Sequence, residues 1–452
     1  MSNFPDGSLS VSFAPSVVSA IQDRTLQRVF RDALFPRMLF RMEAIPELWP
    51  ANLGANQTFT RSGLIRPTTR PLAANTDPSP LSYNFEQWEA TAQQWGSTID
   101  THMPTSYVSL ASLYLRNMHQ LGMHAGQSLN RIVRDKVYNA YTAGNTVTTN
   151  AATSTSLPVA NLNGFTQNFV NGRLADVSTS NPLPITITGV ANTVVGFTVG
   201  ASGDRIHAGT LTLGTSTTWA LRDVVLAGNK SAIVYSGGVA GIDNITSSSQ
   251  LRLADIRQSV AQMRFNNVPP QEDGTYHVHL DPVTESQIFG DNEFQRLNQS
   301  IPDYIHYRRM AVASLLGCTF YRNSEVPTTA TVDDNPSTGF TTGFELTNAS
   351  SVKIHRTIMT GAGAVEEKYL DESRYISDAG IQGKIGEFAV TNGGVQVMTE
   401  RIRLILRAPQ DRLQQLTSSS WSFSGDWPVP SDALAPSSPA TFKRATVIVT
   451  GE

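Results

Sequence analysis

The segment from residue 105 to 143 constrains the fold more than any other part of the chain. Thr105 is a plausible N-cap with Pro104 before it, and Gly144-Asn145 supplies a stop. Between them, Tyr107, Leu110, Tyr114, Met118, Leu121, Ala125, Leu129, Ile132 and Tyr141 recur at helical spacing on one face. At 1.5 Å per residue such a helix runs roughly 55 Å, longer than the core of an ordinary small domain. A coiled coil is the rival reading. Gly122, Gly126 and the lack of charged pairs flanking the apolar seam argue against it.

The sequence before this helix has a different character. Ser16 to Phe40 carries a helical pattern in Val17, Ile21, Leu26, Val29, Phe30, Ala33 and Leu34, with Arg24, Arg28 and Arg31 on a solvated side. Gln57 to Arg61 and Tyr83 to Thr101 read as strands rich in Thr, Phe and Trp. Pro67, Pro71, Pro78 and Pro80 lie between them, and proline is confined to edges and turns. The reading is a long two-stranded arm with little core of its own. An isolated hairpin is marginal in water, so this one needs another surface to lie on, a neighbouring subunit being the obvious one. The tip residues expected to make that contact are Leu64, Ile65, Arg66, Arg70, Leu72 and Leu81.

After the helix, residues 146 to 248 are dominated by Thr, Ser, Gly, Asn and Val. Only four basic residues (Arg173, Arg205, Arg222, Lys230) and four acidic ones (Asp176, Asp204, Asp223, Asp243) occur there. Short strands at 185–189, 196–200, 210–214 and 232–237 are punctuated by glycine, as in a small sandwich or barrel. Its flanks, 146–156 and 244–249, read as polar linkers. The module is expected to fold by itself from about Thr155 to Gly241. From Gln250 the text is mixed: helices at 251–265 and 282–298, strands at 275–280 and 315–321, and a strand at 395–407. In the last, Ile402, Leu404 and Leu406 alternate with Arg401, Arg403 and Arg407. Residues 418–439, rich in Ser, Pro and Trp, read as an extended surface strap.

Charged residues make up 16% of the 452, with a formal net charge of -3. That is well below the usual quarter for a soluble chain, and fits a protein that buries surface against copies of itself. A dedicated nucleic-acid binder would show a basic excess. Cys318 is the single cysteine, so no intrachain disulfide can form, and it reads as a small apolar core residue. Met1 to Ser12 lacks the pattern of a signal peptide, and no apolar run is long enough for a bilayer, so maturation in a cytoplasm is expected.

Candidate chemistry is sparse. His277 and His279 share one face of a strand, as in some metal hydrolases, but no fitting third ligand follows, and a packing role is favoured. Gly361 to Ala364 has no following Gly-Lys-Ser/Thr and reads as a turn. Glu366-Glu367 and Asp371-Glu372 read as a solvated acidic face. No catalytic, cofactor or metal residue is expected.

The order of parts resembles the major capsid protein of tailed double-stranded DNA phages, the Hong Kong ninety-seven-type fold. The likeness is carried by that order and by two passages: Gly274 to Pro282 (GTYHVHLDP), a strand ending in proline before a helix, and Leu316 to Pro327 (LGCTFYRNSEVP). The resemblance implies an α+β fold: an N-arm at 1–45, an E-loop at 46–104, a spine helix at 105–145, an all-β insertion at 146–248, an A-domain with P-domain strands at 250–395, and a P-domain strand with a C-terminal strap at 396–452. It implies hexamers and pentamers of an icosahedral virion shell, built with a scaffolding protein and a portal and, in some members, a decoration protein. Packaged DNA would lie nearby without specific contact, consistent with the slight negative charge. A tail or fibre component and a metal-dependent hydrolase are the alternatives.

Overall fold

The computed structural model describes residues 25–34, 38–50, 54–62, 67–69, 71–72, 77–78, 80–81, 85–108, 113–170, 173–228, 230, 232–298, 314–327, 347–370, 383–385, 388–391, 394–407, 413, 415–430 and 444–452. In chain order, α1 (Thr25–Leu34) is followed by β1 (Ala44–Leu48), β2 (Asn56–Ser62), β3 (Phe85–Thr91), β4 (Gln93–His102), α2 (Met103–Val108) and the long α3 (Leu113–Thr142). Eight strands come next: β5 (Asn145–Val147), β6 (Ala152–Val159), β7 (Gln167–Val170), β8 (Arg173–Asp176), β9 (Leu183–Ile187), β10 (Val190–Val199), β11 (Gly209–Trp219) and β12 (Val224–Ala227). A mixed stretch holds β13 (Ile233–Tyr235), α4 (Leu253–Phe265), β14 (Tyr276–Leu280), α5 (Pro282–Gly290), α6 (Asn292–Asn298), β15 (Ser314–Leu315), β16 (Cys318–Arg322) and β17 (Ile354–Thr360). The chain closes with β18 (Val365–Tyr369), β19 (Gly383–Ile385), β20 (Phe388–Thr391), β21 (Gly394–Thr399), β22 (Ile402–Arg407), β23 (Leu416–Asp426) and β24 (Ala445–Gly451). The class is α+β.

Two compact units divide the chain. The first takes its described residues from Met1–Gln57, Ala90–Val133 and Glu366–Pro428. Its centre is an eight-stranded sheet in the order β1-β18-β23-β22-β21-β20-β19, with β4 paired along β23. The predicted surface strap at 418–439 is overturned for its described part, 418–430, and 431–439 lie outside the described residues. Leu416–Asp426 is an inner strand, with Trp421 and Phe423 buried, and Trp427 just beyond it is buried too. Serines serve an inner strand because they pair across it: Ser420 Oγ lies 2.8 Å from Thr98 Oγ1, and Ser418 hydrogen-bonds Asp100. The predicted single strand at 395–407 is two, β21 and β22, joined by Glu400 (φ 50°) and Arg401 (φ 64°). Two positive φ values in succession make a tight hairpin turn, one that usually carries Asn or Gly, so the sequence gave no warning of it.

The apolar face predicted for the long helix is buried at Tyr114, Met118, Leu121, Ala125, Leu129, Ile132 and Tyr141. The helix predicted over 105–143 is described as α2 and α3; Thr105, the predicted N-cap, lies inside α2, and residues 109–112, with Leu110, and the side chain of Tyr107 lie outside what is described. Gly122, read above as a weakness, is a contact: a Cβ there would sit 2.5 Å from the Phe30 carbonyl oxygen, so only glycine lets α1 approach. Leu26, Phe30, Ala33 and Leu34 of α1 are buried in that unit. Gly144, at φ 75°, follows the end of α3.

The second unit takes Thr58–Glu89, Arg134–Val365 and Val429–Glu452. One of its sheets runs β13-β24-β17-β14-β16-β15. Leu253, Ile256, Val260 and Met263 from α4 share a core with Tyr276, Val278, Leu280, Met359 and Ile448. Asp281 caps α5 by accepting the Val283 N–H, with Pro282 in the first helical position. The predicted helix at 282–298 is two helices, α5 and α6, divided at Asp291, whose carboxylate accepts the Leu253 N–H at 2.7 Å. The strand predicted at 315–321 is a hairpin turned by Leu316 (φ 56°) and Gly317 (φ 79°).

The second sheet of that unit, β5-β12-β9-β10-β11-β6, is built wholly from residues 145–227. Leu157, Leu162, Phe165, Leu183, Ile185, Ile187, Leu211, Leu213, Trp219 and Val225 form its own core. Three expectations change. The flank 146–156 is not a polar linker but contains β5 and the start of β6, with Val147 buried. The flank 244–249 is not a linker either, since Ile245 and Ser249 are buried. The strand at 233–235 pairs in parallel with β24 and so belongs to the other sheet. A fragment from 155 to 241 would therefore lose β5 and part of β6. A fragment from 143 to 230 keeps every strand of the sheet and its core. It is expected to give a dispersed amide spectrum and a cooperative melt, while 155–241 should not; equal behaviour of the two would contradict the strand assignment.

Candidate assembly surface

The hairpin of β2 and β3 forms a two-stranded sheet of its own. Phe59 and Trp88 stack across it with ring centroids 5.8 Å apart. The arm is shorter than the sequence reading, because Ala92 separates β3 from β4 and β4 is taken up by the eight-stranded sheet. Leu64, Ile65, Arg66 and Arg70 lie outside the described residues. Leu72 and Leu81 are described, and they are 64% and 60% exposed. Pro67, Thr68, Thr69, Pro71, Asp77, Pro78 and Pro80 are exposed as well. All the described residues of the tip thus face solvent, including two large apolar side chains.

The acidic doublet Glu366-Glu367 is not a solvated face. Glu367 is fully buried in the first unit. Arg41 grips it with two bonds of 2.7 and 2.8 Å, Arg401 adds one of 2.7 Å, and the Trp427 indole N–H donates at 3.2 Å. Burial opposes ionisation of Glu367, yet the two guanidinium groups outweigh it and hold the carboxyl below its usual range. Arg41 also lies over the Phe423 ring and donates to the Glu400 carbonyl, which fixes the β21–β22 turn. The neighbouring Lys368, buried, pairs with Glu47 and with Glu366 at 3.1 Å. Arg401 is thus a half-buried ion-pair partner of Glu367, and Arg403 donates to Ser422 Oγ. Asp371 and Glu372 lie outside the described residues.

His277 and His279 both pack on Tyr321, at centroid distances of 4.9 and 5.7 Å. His277 also lies 3.1 Å from Asp273. Among the described residues no group of three or more His, Cys, Asp or Glu side chains is placed to hold a metal ion. Sequence reasoning missed His355, which is buried with its Nδ1 2.9 Å from Asp281 Oδ2 and its Nε2 3.3 Å from Glu452. Burial works against its charge, but Asp281 and Glu452 prevail and raise the imidazole above its ordinary value. Asp281 is likewise depressed, burial being overcome by His355 and Thr284. Cys318 is buried and its thiol is pushed up to about 12 by that burial, so it carries little thiolate at neutral pH. No helix among the described residues is long and apolar enough to cross a membrane.

Among the described residues the α+β chain combines a long helix, a two-stranded hairpin with an exposed tip, an eight-stranded sheet and two six-stranded sheets, one of them mixed. No family model matches the sequence, and no curated protein matches it. Among solved structures, the chain is similar to the capsid of cyanophage P-SCSP1u at 11% identity, over 91% of this chain and 88% of that one, with a TM-score of 0.49. It is similar to the capsid asymmetric unit of cyanophage Pam1 at 9% identity, over 98% and 95%, with a TM-score of 0.48. It is also similar to the capsid of the Helicobacter pylori bacteriophage KHP30 at 10% identity, over 90% and 87%, with a TM-score of 0.47.

Proposed function

We propose that the chain is a shell-forming structural subunit, the major capsid protein of a tailed double-stranded DNA phage, with no catalytic role. The observation that carries this is the exposed tip: Leu72 and Leu81 stand in solvent beyond a two-stranded hairpin. A two-stranded hairpin is marginal by itself, and a neighbouring subunit covering this tip would supply the support it lacks. The low charged fraction supports the same reading, as does a helix of 30 residues, which suits a framework part. Hexamers and pentamers of an icosahedral shell are the proposed assembly, with a scaffolding protein, a portal and, in some shells, a decoration protein as partners. Assembly would take place in the host cytoplasm. DNA would be enclosed without sequence-specific contact. The packing of His277 and His279 on Tyr321 favours a core role for them over metal hydrolysis.

The test uses the buried state of Cys318, the single cysteine. Leu72→Cys adds one accessible thiol, which is labelled with a photoreactive maleimide. Irradiated assemblies should yield covalent subunit pairs on a denaturing gel, and unassembled subunits should not. Adducts confined to single chains in both samples would remove the intersubunit role of the tip.

A further inference from the structure

We propose that His355 is a proton-operated latch of the second unit: its charged ring ties Glu452, just beyond β24, to Asp281 at the start of α5, and loss of one proton frees Glu452. The ring is buried, with Nδ1 2.9 Å from Asp281 Oδ2 and Nε2 3.3 Å from Glu452 Oε2. An ionised carboxylate only accepts hydrogen bonds, so a carboxylate at each ring nitrogen calls for an N–H on each, the imidazolium form. A neutral ring keeps one N–H and can serve one carboxylate. This inference is independent of the shell-forming role.

Burial decides which carboxylate is released. The Asp281 side chain is 3% exposed and that of Glu452 44%. Leaving a buried carboxylate without its partner costs far more than leaving one that water reaches. Asp281 is also fixed as the cap of α5 by the Val283 N–H and the Thr284 hydroxyl. Glu452 can turn to solvent, with Lys353 beside it at 3.5 Å. The other charged and titratable groups of the surrounding elements are engaged elsewhere or face away. Glu285 of α5 pairs with Arg322 at 2.5 Å, Arg134 of α3 pairs with Asp135 at 2.7 Å, and His279 of β14 packs on Tyr321. Arg356 alternates to the opposite face of β17, and β24 itself carries no charged residue. Burial opposes the charge on His355, but Asp281 and Glu452 outweigh it and hold the imidazole above its ordinary value. The latch is therefore closed through the ordinary imidazole range and opens as pH rises through the raised value.

Opening should loosen the backbone pairing next to the latch, where the Glu452 N–H donates to the Lys353 carbonyl at 3.0 Å and the Gly451 N–H to the Ser249 carbonyl at 2.9 Å. The test follows the unassembled full-length chain by mass spectrometry across the imidazole range and above it. Deuterium exchange at the ring C2 position, read on the peptide that contains His355, gives the titration midpoint of that ring. Amide uptake over residues 447–452, corrected for the intrinsic effect of pH, reports the latch. The midpoint should lie above the ordinary imidazole value, and uptake should step up at the same pH. Glu452→Gln changes a half-exposed side chain and leaves the core intact. It should lower the His355 midpoint and abolish the step. A midpoint at or below the ordinary value overturns the proposal. So does a midpoint that Glu452→Gln leaves unmoved, or an uptake with no step where the ring titrates.

Discussion

Replacing residues 63–82 with a short Gly-Ser turn should abolish shells while leaving the isolated subunit's melting temperature nearly unchanged. The described residues of this stretch are exposed, so removing them exposes no core. Leu72 and Leu81 are exposed in the single chain, and on the proposed reading a neighbouring subunit buries them. Fully burying one leucine contributes about 1.5–3 kcal/mol, and the contact recurs at every subunit of a closed assembly. A shell lacking it should fail to form or fall apart under mild dilution. Calorimetry on the subunit and sedimentation of the assembly separate the outcomes. A large loss of subunit stability would mean that the tip packs within its own chain. Robust shells from the shortened chain would mean that it is a loose surface loop.

Glu367→Gln should destabilise the first unit severely. The substitution leaves the buried Arg41 facing a neutral amide, with Arg401 deprived of the same partner. Breaking a buried ion pair by removing one member costs about 3–5 kcal/mol. At ~2–4 °C per kcal/mol this amounts to a fall on the order of 10 °C in the melting transition of that unit. The same residue gives the unit an acid limb. Glu367 titrates lower in the folded chain than in the unfolded one, so its stabilisation is complete above the ordinary carboxylate range. That stabilisation is lost as pH falls through the folded value. The variant should show a flatter stability profile on the acid side. A melting temperature within a degree or two of the parent, or an unchanged acid limb, would show that the Arg41–Glu367–Arg401 cluster contributes little.

The long helix and the change of texture after it were legible because they rest on repeating patterns. Met118, Leu121, Ala125 and Leu129 announce their face by spacing alone. So do Leu183, Ile185 and Ile187 in β9. The inner strand β23 was misread because half of its residues are Ser or Thr, which satisfy cross-strand hydrogen bonds and read as surface. The hairpin turns at Glu400-Arg401 and Leu316-Gly317 were missed because three of the four residues are not the ones that positive φ favours. In the first case Arg41 and Glu367 hold the turn from outside it, which no local pattern can show. Glu367 itself looked solvated because its partners are separated from it by 326 and 34 positions. For the hairpin tip, composition alone carried the reading, since prolines and scattered leucines cannot make a core within one chain.

The most direct measurement is an electron micrograph of the purified chain, produced alone and together with a candidate scaffolding protein, and stained at high concentration. Closed shells of uniform diameter, built chiefly of this chain, are the expected result. A uniformly monomeric sample under those conditions, or thin fibres with no closed particles, would contradict the assignment.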